Sequence, residues 1–265
     1  MVGQEELKKK FIYLYQTNKL SKVNILIAPK GYGKKEFVKW FSDYISIPYK
    51  LYDGKMKSID ELQDDANNQF TNQIYAIENL EYNNSSQNAL LKFLENPPLN
   101  SVIFILNERV DLLLTTIQNR GITYKLAGYT KEELSNFNPD PLALEVFNNP
   151  TELIKCKDIN LNELLNITNK IVDKLDIASV SNALKLSNYI KTKDDDKEGY
   201  DLNIFIKALR YSLYIKYKET KDEKVREKFI LFQDALNQLE RNGKYCMDNF
   251  IISNYMEIKG WKSKI

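Results

Sequence analysis

A strand-like run, Val23–Ile27, leads into Ala28-Pro-Lys-Gly-Tyr-Gly-Lys-Lys35 and then into the helical pattern Glu36–Phe41. Glycines at such a turn let backbone N–H groups curl around phosphate oxygens, and a following lysine reaches the outer phosphates. Gly31, Gly33 and Lys34 fit that spacing. Two positions depart from it: Ala28 stands where a first glycine belongs, and Lys35 replaces the Ser/Thr hydroxyl that ligates Mg²⁺. An ammonium cannot ligate a metal ion. Two neighbouring like charges also repel by about 1–4 kcal/mol at effective dielectrics of about 80 to 20.

A second run, Ile74–Ile77, ends in Glu78-Asn79. An apolar strand ending in two acids orients Mg²⁺ with the first and polarises water with the second. Glu78 occupies the metal position with one extra methylene. Asn79 occupies the catalytic position, and an amide has no proton affinity near neutrality, so it cannot act as a general base. Separate segments thus both lack parts of the metal–water machinery, which predicts a poor or inactive ATPase. Gly31, Gly33, Lys34 and Glu78 remain as a degenerate nucleotide site; weak ATP or ADP binding stays open, and no cofactor is required.

The elements that must position these residues follow from periodicity. Val23–Ile27, Ile74–Ile77 and Val102–Leu106 are short, β-branched apolar runs of the kind buried in a parallel sheet, with helical stretches Lys34–Tyr44 and Ser85–Glu95 between them. Asn84-Ser-Ser-Gln87 reads as a capping-box start, Leu90, Leu91 and Leu94 as the sheet-facing stripe, and Pro97-Pro98 as the stop. All seven prolines lie at or before Pro150; beyond it the sequence is of helical period. Leu202, Phe205, Ile206, Leu209 and Leu213 form one stripe, and Val225, Phe229, Phe232, Leu236 and Leu239 another, closed by Asn242-Gly243. Asp248 caps a last predicted helix through Ile258, and the charge-dense 191–199 reads as a linker. The expected fold class is α/β plus all-α: an α/β domain over 1–126, a small helical domain over 127–190 and a terminal helical domain over 191–265.

Composition narrows the chemistry. With no histidine among 265 residues, Ser-His-Asp and Cys-His triads, His-ligated zinc and histidine pH switches are excluded. Two cysteines, Cys156 and Cys246, cannot build a four-thiolate zinc site and suit a reducing compartment. No apolar run approaches the roughly 18 residues that span a bilayer, so a cytoplasmic protein without membrane contact is expected. The net charge of +2 does not by itself demand nucleic acid. Lys30, Lys34, Lys35 and Lys39 form a basic cluster of the kind usually solvated.

In this order the pieces resemble the clamp-loader branch of the AAA+ ATPases, nearest the delta-prime subunits of bacterial DNA polymerase III or a phage relative. The resemblance rests on Val2-Gly-Gln-Glu5, on Asn88-Ala-Leu-Leu-Lys-Phe-Leu-Glu-Asn-Pro-Pro98 and on Leu113-Leu-Thr-Thr-Ile-Gln-Asn-Arg120-Gly. Glu240-Arg-Asn242-Gly-Lys extends it faintly into the last domain. It covers most of the chain but is specific over 85–120. It implies an AAA+ parallel-sheet domain, a helical lid and a helical collar.

Several departures stand out. The cysteines of a zinc module are missing, the Ser-Arg-Cys motif has become Asn119-Arg120-Gly121, and Glu108 stands at the sensor position, with Asn107 beside it as a substitute. Asn149-Pro-Thr-Glu152 lacks the basic lid sensor. The resemblance implies that Arg120 serves as an arginine finger acting on ATP held by a neighbouring subunit, within a hetero-oligomer that meets the sliding clamp and primer–template DNA as a complex during replication. Two further readings stay open: an active AAA+ motor, and a purely structural scaffold with Arg120 idle.

Overall fold

The computed structural model describes residues 1–67, 71–174 and 199–220. They group into two compact units, one formed by Met1–Asn136 with Asn149–Thr151, the other by Phe137–Asn148 and the chain from Glu152 onward.

The first unit is built on five parallel strands, β1 (Val23–Ile27), β2 (Tyr49–Asp53), β3 (Gln73–Glu78), β4 (Ser101–Asn107) and β5 (Ile122–Lys125), in the order β2-β3-β4-β1-β5. The three central strands are the three apolar runs of the sequence. Their side chains alternate between two faces, and both faces are apolar because helices cover both. Val23, Ile25, Ile27, Tyr75, Ile77, Ile103 and Ile105 face one core, closed by Ile59 and Leu62 of α3 (Met56–Asn67), Leu90 and Leu94 of α4 (Asn84–Glu95) and Ile117 of α5 (Thr115–Gln118). Leu26, Ile74, Ala76, Phe104 and Leu106 face the other, closed by α1 (Glu5–Gln16) and α2 (Lys34–Ile45).

That second core is aromatic. Phe11 of α1 is fully buried, and its ring lies 4.8–5.9 Å from those of Phe37, Phe41, Phe104 and Tyr124. Offset and edge contacts of this kind add to the area that each ring buries.

The segment carrying Gly3 and Gln4 is held to the far end of the sheet domain. The Gln4 side chain is 7% exposed, donates to Ala127 O at 2.7 Å and accepts from Ala127 N at 2.8 Å. One amide thus satisfies both backbone groups of a residue 123 positions away. Past this tie, α6 (Lys131–Ser135) opens with a capping box between Thr130 and Glu133 and belongs to the same unit.

In the second unit, α7 (Pro141–Val146) and α9 (Leu161–Lys174) accompany α10 (Leu202–Thr220) and, from Glu152, α8 (Pro150–Cys156). The predicted stripe of α10 is buried at Phe205, Ile206, Leu209 and Leu213, while Leu202 is half-buried. Inside the α9–α10 contact, Thr168 and Ser212 join hydroxyls at 2.6 Å, a satisfied polar pair in an apolar seam. The stripe 225–239, the turn at 242–243, the helix of 248–258 and most of the 191–199 linker lie outside the described residues. Among the described residues, no helix is long and apolar enough to cross a membrane.

Replacing Phe11 with Ala removes the ring that four aromatic neighbours share. The expected cost is about 3–5 kcal/mol, read as a lowered urea midpoint by intrinsic fluorescence.

Candidate functional site

The phosphate-loop candidate lies between the C-terminal end of β1 and the start of α2, where open parallel sheets bind ligands. Gly31 and Gly33 both adopt the left-handed conformation, with φ of +84° and +82°. Both are also closely approached. A Cβ on Gly31 would lie 2.8 Å from Asn149 Oδ1, and one on Gly33 2.6 Å from the Tyr129 hydroxyl. Tyr129 in turn donates to Tyr32 O at 3.2 Å. The turn is therefore packed by side chains of its own unit.

Lys34 is partly buried, and its ammonium donates to the carbonyls of Ala28 and of Pro29. Burial pushes its pKa down, against the opposing pull of Glu108, Glu81 and Glu78. Burial also pushes the Glu81 carboxyl up, with Glu108 and Glu78 adding to the effect.

Lys35 stands where the sequence pattern calls for a hydroxyl. Its ammonium lies 2.8 Å from each carboxylate oxygen of Glu78, the last residue of β3. A hydroxyl from the loop and an acid from the strand would together flank Mg²⁺; here the loop supplies a cation and the strand acid answers it. A dication placed about 4 Å from that ammonium would be repelled by ~2–8 kcal/mol, twice the interaction of two unit charges. Asn79, in the left-handed region at φ +57°, donates its amide to Asp53 Oδ1 at 3.4 Å.

The donor set does not fit Mg²⁺: among the described residues no group of three or more acidic or cysteine side chains is placed to hold a metal ion, and Glu78 is already bound to an ammonium. Lys34 is engaged with its own loop. Two buried oxygens nearby, Asn107 Oδ1 and Glu81 Oε2, have no partner among the described residues. Asn107 itself, at the end of β4, is fully buried and donates its amide to Arg109 O at 2.7 Å.

Arg120 lies apart from this loop, just beyond α5, so the structure brings Gly31, Gly33, Lys34 and Glu78 together and leaves Arg120 outside the group. Its Nη2 donates to Glu95 at the C-terminal end of α4, and its Nη1 donates to Thr116 O at 2.6 Å. Gly121 follows because a side chain there would meet Ile25 Cγ1 at 2.9 Å, in space that Ile25 and Val23 already fill.

The start of α4 corrects the capping-box reading. Asn83, not Asn84, is the N-cap, and its side chain accepts from Ser86 N at 3.1 Å. Gln87 is instead fully buried, donating to Leu112 O at 3.2 Å and accepting from Leu114 N at 2.7 Å. It fixes the segment that leads into α5 and hence to Arg120. A glutamine inside an apolar helix face was the available signal, and the capping pattern masked it.

Residues 52–130 match the sequence model of the family described as DNA polymerase III, delta subunit. No curated protein matches the chain by sequence. Among solved structures, a DNA polymerase III gamma subunit-related protein of Thermotoga maritima is similar at a TM-score of 0.54 and 16% identity, over 94% of this chain and 99% of that one. A RuvB variant of the same organism is similar at a TM-score of 0.51 and 15% identity, over 72% of this chain and 83% of that one. At such identities the likeness is one of fold.

Replacing Gln87 with Leu removes the partner of the part-buried Leu112 carbonyl and Leu114 N–H. The expected loss is about 0.5–1.5 kcal/mol for each bond, with faster hydrogen exchange at the Leu114 amide than at the amides of β1. Residues 52–130 are thus similar to a DNA polymerase III delta subunit family, and the parallel-sheet fold is similar to that of the gamma subunit-related protein.

Proposed function

We propose that this chain is a subunit of a DNA polymerase sliding-clamp loader that hydrolyses no ATP of its own and supplies Arg120 to ATP held by a neighbouring subunit. The observation that carries the reading is the Lys35–Glu78 pair, an ammonium standing where the metal-dependent relatives of such a fold need a divalent ion. A subunit so built needs no Mg²⁺ and no zinc, and holds ATP or ADP weakly if at all. Its value to the assembly then lies at its surface.

Arg120 suits that task by chemistry and by place. A guanidinium keeps its charge at any physiological pH and grips phosphate oxygens through paired N–H groups. This one is partly exposed at the end of a short helix whose approach is fixed by Gln87. An arginine supplied in trans typically raises phosphoryl-transfer rates by roughly 10³–10⁵.

The partners of the proposed assembly are other loader subunits in a hetero-oligomer, with the sliding clamp and primer–template DNA met by the complex as a whole during replication in the cytoplasm. The stretch 127–190 would be the lid and 191–265 the collar that holds the oligomer together. A scaffold reading draws on one observation, namely that Arg120 already has a local partner in Glu95.

The test is ATP turnover by the reconstituted loader carrying R120A. The expected outcome is a loss of roughly 10³-fold in clamp- and DNA-stimulated hydrolysis, with assembly unchanged by gel filtration. Full turnover with R120A would leave the scaffold reading standing and overturn this one.

A further inference from the structure

The ion pair between Arg120 and Glu95 has a direction that the reading of Arg120 as a trans-acting group does not supply. Both terminal nitrogens of the guanidinium are turned to its own chain, Nη2 to the Glu95 carboxylate and Nη1 to the Thr116 carbonyl. A bidentate grip on phosphate uses an edge of the guanidinium that includes Nη2. An anion arriving at the remaining N–H groups therefore meets a carboxylate bound to the same nitrogen. Glu95 neutralises the charge that would attract a phosphate, and it repels the phosphate directly.

The place of Glu95 sharpens the point. It is the last residue of α4, where exposed carbonyls carry partial negative charge and an acid is disfavoured. The next residue is the cap Asn96, followed by Pro97-Pro98, so the carboxylate sits at a fixed stop. Its side chain is 50% exposed and that of Arg120 26% exposed. A pair this open to solvent is weak enough to be exchanged for another anion.

We propose that Glu95 is a restraining residue: its carboxylate holds Arg120 in the resting subunit and gives way when the neighbour's nucleotide phosphates arrive, so that it sets the resting rate of trans activation. This rests on the reading of Arg120 as the trans-acting arginine. Glu95 touches no nucleotide in this scheme and acts only through Arg120.

The experiment measures ATP turnover of the reconstituted loader, with and without clamp and DNA, for E95Q, Glu95→Asp, R120A and the E95Q/R120A double variant. E95Q is expected to raise the unstimulated rate about two- to five-fold, the range set by exchanging one surface ion pair, and to move the stimulated rate less. Glu95→Asp, which keeps the charge, should stay near the wild-type ratio of the two rates, and the double variant should fall to the R120A level. A purely structural role would shift the thermal midpoint and both rates together. An unstimulated rate for E95Q at or below wild type, with R120A inactive, overturns the restraint and leaves Arg120 as the trans-acting group. Full activity of R120A overturns both.

Discussion

An ammonium bound to both oxygens of a strand-end carboxylate is the constraint from which the rest of this molecule follows. Lys35 and Glu78 stand on different elements, the first turn of α2 and the last residue of β3, and meet beside the loop that follows β1. As a partly exposed pair it contributes only about 0–1 kcal/mol to stability, too little to explain it as a structural clamp. Its consequence is electrostatic. The ammonium repels a dication about 4 Å away by ~2–8 kcal/mol while the Glu78 carboxylate attracts it, so Lys35 offsets what Glu78 would otherwise offer a metal ion. Lys34 deepens the effect by closing onto the carbonyls of its own loop, with Asn149 and Tyr129 packed against Gly31 and Gly33.

The opposite end of the domain is organised around α4. Its apolar stripe, Leu90 and Leu94, seats it on the sheet; Gln87 at one end holds the approach to α5, and Glu95 at the other holds Arg120. One helix thus holds both the segment that leads to the arginine and the carboxylate paired with it. The glycine loop packed by its own unit and the arginine held beside α4 are thus separate features of the first unit.

Much of this was legible from residue order. The central strands announce themselves because both of their faces are buried, which leaves an unbroken apolar run at β1, β3 and β4. The edge strands do not: β2 and β5 each bury a single fully packed side chain, Tyr52 and Tyr124, amid exposed or half-exposed neighbours, so neither run length nor alternation marks them. α1 was hidden for a related reason. It fully buries Phe11 but little other apolar surface, and its other buried residue is Lys8, which lies 5.7 Å from the Trp40 ring and pairs with Glu5. The departures at Lys35 and Asn79 could be read from residue types alone, whereas the pairing of Lys35 with Glu78 needed the fold that brings β3 beside the loop. The role of Gln87 and the hold of Glu95 on Arg120 are long-range contacts, across 27 and 25 positions, with no local pattern to betray them.

Electron paramagnetic resonance of Mn²⁺ titrated with the purified chain, in the presence of a non-hydrolysable ATP analogue, tests the central claim most directly. With Lys35 in the metal's place, the protein should leave the signal equal to that of Mn²⁺ and the analogue alone. A bound ion at one per chain, released by Glu78→Gln, would contradict the account.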